Sequence, residues 1–354
     1  MDELIGELQA VADSAKNVPV NGWPNLNNKW LARSGLQKAI RRGNTQEALT
    51  CGANLSAADP DGAWRALATI IVEDVGIVDP DLLTYSTVVG LKTLRQKIDS
   101  PARLFMGMTM RACGNEVKSR SACELSLGAD KDPVMNWTAL NKATDEELLA
   151  LMAGNSPEMM YAATCIVRRR APKTDGLMDK ALQIMLDSLG VGSTARAAMM
   201  SFERPIDTMN HAVWPLLFHK FQATELVTHD VLPPCPKIGG VMAAAWDMHT
   251  LHGKRAIKAF HTSLVNQGDE VMKALAAKSE DVVKGIGSIV FIVEGGQLAP
   301  GRLWSDSLAA LKQYQDKNFS AAWGCPPELF EPVRQTVLNK FDLLNDKRVW
   351  SSKG

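Results

Sequence analysis

Ser34-Gly-Leu-Gln-Lys-Ala-Ile-Arg-Arg-Gly-Asn-Thr-Gln-Glu-Ala-Leu49, continued after Trp64 by Ile71-Val-Glu-Asp-Val-Gly-Ile-Val-Asp-Pro80, sets out a run of helices by its punctuation. Leu36, Ala39 and Ile40 recur at i, i+3, i+4, which predicts a helix capped by Ser34 with Gln37, Lys38, Arg41 and Arg42 on its outer face. Gly43 suits the left-handed residue that ends a helix, and Arg41 and Arg42 complement the negative end of its dipole. Asn44 with Glu47 predicts a capped second helix. Asp59-Pro60 opens a third, with Trp64, Leu67, Ala68, Ile71 and Val75 on one face; Gly76 stops it and Asp79-Pro80 opens a fourth.

The rest of the chain reads in the same way. An amphipathic helix through Leu4, Leu8 and Val11 precedes an Asn/Gly/Pro-rich arm, which either packs back or swaps to a partner. Helical runs are expected over 145–170, split by Gly154-Asn-Ser-Pro157, and over 177–189, 213–221, 241–265, 270–284, 305–314 and 328–344. The β-branched stretch 286–293 reads as a minor strand or a buried helix. The expected fold is therefore an all-α multi-helix array. Its expected divisions are an arm over 1–33, helical regions over 34–130 and 131–200, and a C-terminal helical domain over 201–354, with Lys131-Asp-Pro133 and the Gly190-Val-Gly-Ser-Thr194 loop as seams. Ser193 there reads as a helix cap.

The quoted stretch resembles the helical C-terminal, oligomer-forming region of the RarA/MgsA family of clamp-loader-like AAA+ ATPases. The resemblance extends through Met108-Thr-Met-Arg-Ala-Cys113 and Val117-Lys-Ser-Arg-Ser-Ala122 to Asp130. It implies self-association and work at stalled replication forks, although kinship of fold does not transmit function by itself. The ATPase engine is expected to be absent. No Gly-x-x-x-x-Gly-Lys-Ser/Thr string occurs: at Gly253-Lys254 the first glycine is replaced by Met248 and the hydroxyl residue by Arg255, and residues 1–33 are too few for such a module.

Composition narrows the function classes. With 39 basic and 39 acidic residues the chain has no global field, so any nucleic-acid binding relies on local patches. The candidates are Lys38, Arg41 and Arg42 on one helix; Lys118 and Arg120 in a connection; Arg168, Arg169 and Arg170 with Lys173 at a helix end; and Lys254, Arg255 and Lys258 on a fourth element. Each reads alternatively as a solvated face or a complement to a helix dipole. Trp23 and Trp30 are the tryptophans in a polar segment, the candidates for stacking on a base or partner. Six cysteines without a Cys-x-x-Cys pair, and no signal or membrane segment, fit a cytoplasmic chain with reduced core thiols.

All six histidines lie between His211 and His261. His249 and His252 are weak metal candidates, but a continuous helix over 241–265 would place Asp247 on the face opposite His249. No catalytic motif or cofactor is indicated. The expected function is a non-enzymatic scaffold of DNA replication, repair or recombination that self-associates and binds DNA or a replication protein. The alternatives are a module that recruits or blocks a clamp-loader-like ATPase, and a metal- or His-dependent enzyme centred on 211–261.

Overall fold

The computed structural model describes residues 2–26, 28–131, 135–220, 225–228, 231–299, 301–305 and 316–353. Among them the chain is an all-α multi-helix array with a few short strands. Its helices are α1 (Asp2–Ser14), α2 (Lys29–Arg41), α3 (Thr45–Ala58), α4 (Pro60–Ile70), α5 (Pro80–Val89), α6 (Lys92–Arg95), α7 (Pro101–Gly114), α8 (Ser121–Lys131), α9 (Trp137–Leu140) and α10 (Asp145–Met152), followed by α11 (Pro157–Arg170), α12 (Leu177–Leu189), α13 (Ser193–Glu203), α14 (Val213–Lys220), α15 (Leu251–Asn266), α16 (Glu270–Lys278), α17 (Val282–Val290), α18 (Phe330–Asn339) and α19 (Phe341–Ser352). The strands are β1 (Val117–Lys118), β2 (Glu225–Thr228), β3 (Lys237–Ile238), β4 (Val241–Met242) and β5 (Gly301–Ser305). The expected helix over 305–314 falls almost wholly outside the described residues, as does most of the Lys131–Pro133 seam.

Local chemistry explains most boundaries. Asn44, Asp79 and Ser156 cap α3, α5 and α11 by accepting from Glu47 N, Leu82 N and Met159 N, and Asp59 Oδ1 accepts from Gly62 N at the start of α4. Gly43 closes α2 at φ +65°. Two starts differ from expectation. α2 begins at Lys29, where Asn28 caps Trp30 N and Leu31 N, so Ser34 lies inside the helix and is buried. α13 is entered from Gly192 without a side-chain cap, so Ser193 is its first residue.

The compact units do not follow the expected divisions. One gathers Met1–Lys16, Trp64–Thr228 and Gly301–Lys312; the other gathers Asn17–Ala63, His229–Pro300 and Gln313–Gly354. The block over 34–130 is thus shared between the two, because sequence-distant segments complete each core. In the first unit a sheet of order β1-β5-β2 does this, with β5 parallel to β1 and antiparallel to β2. α1 packs back on α7 through Leu8 and Val11. In the second unit α2 packs on α3, and α15, α17, α18 and α19 enclose a core that includes Ile257, Phe260, Ile289, Val333 and Leu344.

One device occurs in each unit. α4 widens into a π-helical turn over Ile71–Val75, and α17 does so over Phe291–Gly295, each containing the string Ile-Val-Glu. The stretch 286–293 is accordingly a buried helix and not a strand. Each widened turn meets a buried arginine: Arg120 lies 3.6 Å from Glu73 and 3.4 Å from Asp74, and Arg348 lies 2.6 Å from Glu294.

α1 sits so close to α7 that a Cβ on Gly107 would lie 2.1 Å from the Val11 carbonyl oxygen. Gly107→Ala is therefore expected to destabilise the protein by roughly 1–3 kcal/mol in urea denaturation. Gly114→Ala, where a Cβ meets nothing within 4 Å, should stay within about 0.5 kcal/mol of wild type.

Candidate nucleic-acid interface

A charge reaches a phosphate only if it is exposed and not already neutralised, and the candidate cations separate on this test. Lys38 is buried; its Nζ donates to Ser34 Oγ at 3.2 Å and to Asp247 Oδ2 at 2.5 Å, and lies 5.7 Å from the Phe291 ring centre. Arg41 is fully buried, donates to the Gly295 carbonyl and lies over Phe291. Arg42 is partly buried beside the Glu294 carbonyl. Lys118 donates to the carbonyls of Cys113 and Asn115, and Arg120 faces Glu73 and Asp74. Lys38, Arg41, Lys118 and Arg120 are thus internal cations rather than a phosphate-tracking surface. Burial of their heads among carboxylates and carbonyls, invisible locally, is the reason.

The end of α11 is different. Arg168 donates to the carbonyls of Phe202 and Glu203, where it satisfies the open C-terminal end of α13. Arg169 is exposed and Arg170 partly so; Arg169 donates to Asn141 Oδ1, and Arg170 to Asp145 Oδ1 and to the carbonyls of Asn141 and Ala143. Lys173 follows on a short 3-10 turn, exposed and without an ion pair among the described residues. Arg169, Arg170, Lys173, Asn141, Ile166 and Thr174 line one cavity of about 420 Å³. Asp145 neutralises part of Arg170, which leaves Arg169 and Lys173 as the uncompensated charges. Neither Asn141 nor Thr174 carried a local signal in the sequence; the fold of α9 and α10 against α11 brings in Asn141, and Thr174 directly follows Lys173.

The positive end of this site is felt inside the unit. Burial first, then the charges of Arg168 and Arg169, lower the His211 pKa to about 4, so the ring is neutral near pH 7. In the other unit, Lys254, Arg255 and Lys258 form an exposed stripe on α15 with no ion pair among the described residues, while Lys273, Lys284 and Arg334 of the same unit each pair with a carboxylate three residues away.

The histidine region also departs from expectation. Residues 241–250 are not α-helical: β3 and β4 form a hairpin around Gly239-Gly240, a 3-10 turn follows, and α15 starts only at Leu251 with Thr250 as its cap. The helical phase that set Asp247 opposite His249 therefore does not apply. Asp247 accepts from His249 N at 2.9 Å and lies 3.2 Å from its Nδ1. Burial would raise the Asp247 pKa, but Lys38 and His249 together outweigh it and hold the carboxyl below its usual range. His249 is 51% exposed, with its ring edge-on to Phe291 and Trp323. His252 turns away to the Ser351 carbonyl and to Trp246. No group of three or more His, Cys, Asp or Glu among the described residues is placed to hold a metal. His229 lies outside them.

No family model matches the chain, and no curated protein or solved structure does so either.

Two outcomes follow from the buried charges. Asp247→Asn leaves Lys38 uncompensated and is expected to cost roughly 3–5 kcal/mol in chemical denaturation, whereas the pair Lys38→Met with Asp247→Leu should recover most of that loss. For His211 the folded pKa lies below the unfolded value of 6.5, so the unfolded chain binds the extra proton and stability falls as pH drops from 6.5 to about 4. The loss from this one group is on the order of 3 kcal/mol, and a flatter pH dependence of stability for His211→Asn over that window checks it.

Proposed function

We propose that this chain is a non-enzymatic scaffold of DNA replication, repair or recombination, which holds the phosphodiester backbone at the end of α11. The observation that carries this reading is the exposed Arg169 and Lys173, grouped with Arg170 and two neutral hydrogen-bonding residues around one concave site. Most other arginines in the two units are answered by carboxylates or carbonyls. Arg169 donates to the Cys165 carbonyl and to Asn141 Oδ1 but, like Lys173, faces no carboxylate among the described residues, and a cation not neutralised by a carboxylate is able to release counterions from a nucleic acid. The exposed stripe of Lys254, Arg255 and Lys258 adds a second surface of the same kind. The replication setting rests on the RarA/MgsA-like stretch, and self-association comes from the same resemblance.

One further observation favours a protein partner. Leu251 is 64% and Trp350 61% exposed, and the residues beside them, His252 and Ser351, exchange two hydrogen bonds of 2.9 Å. Large apolar side chains left in water next to free cations suit docking of a protein such as a clamp-loader-like ATPase.

Fluorescence anisotropy with single-stranded, duplex and forked DNA across a salt series tests the first reading. Arg169→Gln with Lys173→Gln should weaken binding to all three and reduce the salt slope by about one for each phosphate no longer neutralised. An unchanged slope would show that this site does not hold the backbone. Absence of binding at low salt, with capture of a purified clamp-loader-like ATPase that Trp350→Ala abolishes, would favour the second reading.

A further inference from the structure

The polar arm before α2 does not simply hang in solvent. Proline at 19 and 24 and glycine at 22 prevent it from forming a helix, and Asn54 on α3 fastens it down. The Asn54 carboxamide accepts from Leu26 N at 2.9 Å and donates to the carbonyls of Pro24 and Thr50 at 2.8 Å each. Trp23 is held in turn, because its Nε1 donates to the Pro19 carbonyl at 2.9 Å. Between arm and helix lies a cavity of about 660 Å³, within the range of small-ligand sites.

The walls of this cavity have a definite chemistry. Trp23 supplies an aromatic side. Ala53 and Ala57, four residues apart on α3, present only methyl groups, so no longer side chain fills the space. Asn21, Asn25 and Asn28 line it as well; a carboxamide can both donate and accept, although Asn28 Oδ1 already accepts from Trp30 N and Leu31 N, which leaves that side chain its NH2 group to donate. Lys29 stands at its edge, half-exposed and 3.9 Å from Asp59, a separation at which an exposed pair holds the cation weakly. A flat aromatic wall, amides to meet a polar ring edge and a loosely held cation together fit a planar heterocycle attached to an anion.

We infer that this cavity takes an unpaired base of a single-stranded nucleic acid, stacked on Trp23, with its edge toward the asparagine amides and a neighbouring phosphate on Lys29. The inference rests on the nucleic-acid reading above and adds a base-dependent contact to it. A base paired in a duplex has its edge and faces occupied, so the site selects single strands.

The test compares labelled oligothymidylate with an abasic strand of the same length, by anisotropy, for wild type, Trp23→Ala, Ala57→Leu and the Arg169→Gln/Lys173→Gln double variant. Ala57 is exposed on α3, so leucine there fills the cavity with little effect on the fold, which guards against a folding defect in Trp23→Ala. Wild type is expected to bind the base-bearing strand roughly tenfold tighter than the abasic one. Trp23→Ala and Ala57→Leu should each remove that preference while leaving abasic binding and its salt slope intact. The Arg169/Lys173 variant should instead weaken both strands alike. Equal wild-type affinity for the two strands, or a preference that survives both cavity variants, overturns the base site while the backbone reading stands. No binding of either strand at low salt overturns both.

Discussion

Burial of charge is the constraint on which both units depend. Lys38, Arg41 and Arg348 in one, and Lys118, Arg120 and Arg302 in the other, have their heads inside the protein. A lone ion there costs several kcal/mol, so each needs an oxygen at hydrogen-bonding range. The widened turns after α4 and α17 supply many of these oxygens. Widening a helix by one residue releases backbone carbonyls from the regular ladder and turns side chains inward, and Gly295 and Glu294 answer Arg41 and Arg348 in this way. Relative to a well-packed apolar core these pairs stabilise little. Their effect is on alternatives, since any arrangement that separates Lys38 from Asp247 or Arg348 from Glu294 leaves two buried ions without their partners.

The same contacts separate what the sequence disclosed from what it hid. Caps were legible because the Asn, Asp or Ser side chain that forms them bonds within three residues; Asn44, Asp79-Pro80 and Ser156-Pro157 needed no distant partner. Lys38 and Arg41 resemble solvated charges in the last turn of a helix, and nothing nearby says otherwise. Their partners, Asp247 and Gly295, lie more than two hundred residues on. The misread helix over 241–250 is a different failure. Its apolar run has helical spacing, but Pro233-Pro-Cys-Pro236 and Gly239-Gly240 immediately before it are turn signals, and a Gly-Gly pair between short apolar runs is what a two-residue hairpin uses. Of the candidate interface, the arginines at the end of α11 were visible, whereas Asn141 and Thr174 were not, because neutral hydrogen-bonding residues leave no pattern along the chain.

Polar residues in the arm illustrate how a local feature acquires meaning from a distant one. Its asparagines and prolines read as a linker, and a linker would be indifferent to sequence. Fastened by Asn54, the arm becomes one wall of a cavity, facing two alanines. A wall already tethered in place lowers the ordering cost of any ligand that enters.

The ion pair between Lys38 and Asp247 also sets a schedule. The two residues are 209 positions apart. At translation rates of about 5–20 residues per second, α2 emerges on the order of 10–40 s before the carboxylate that neutralises its lysine. During that interval the lysine is best left hydrated, so the apolar face of α2 cannot settle into its final environment without stranding a charge. Early collapse around residues 29–58 is thereby discouraged until the later segments arrive, and the nascent chain presents an amphipathic, cation-bearing hairpin to whatever waits at the ribosome exit.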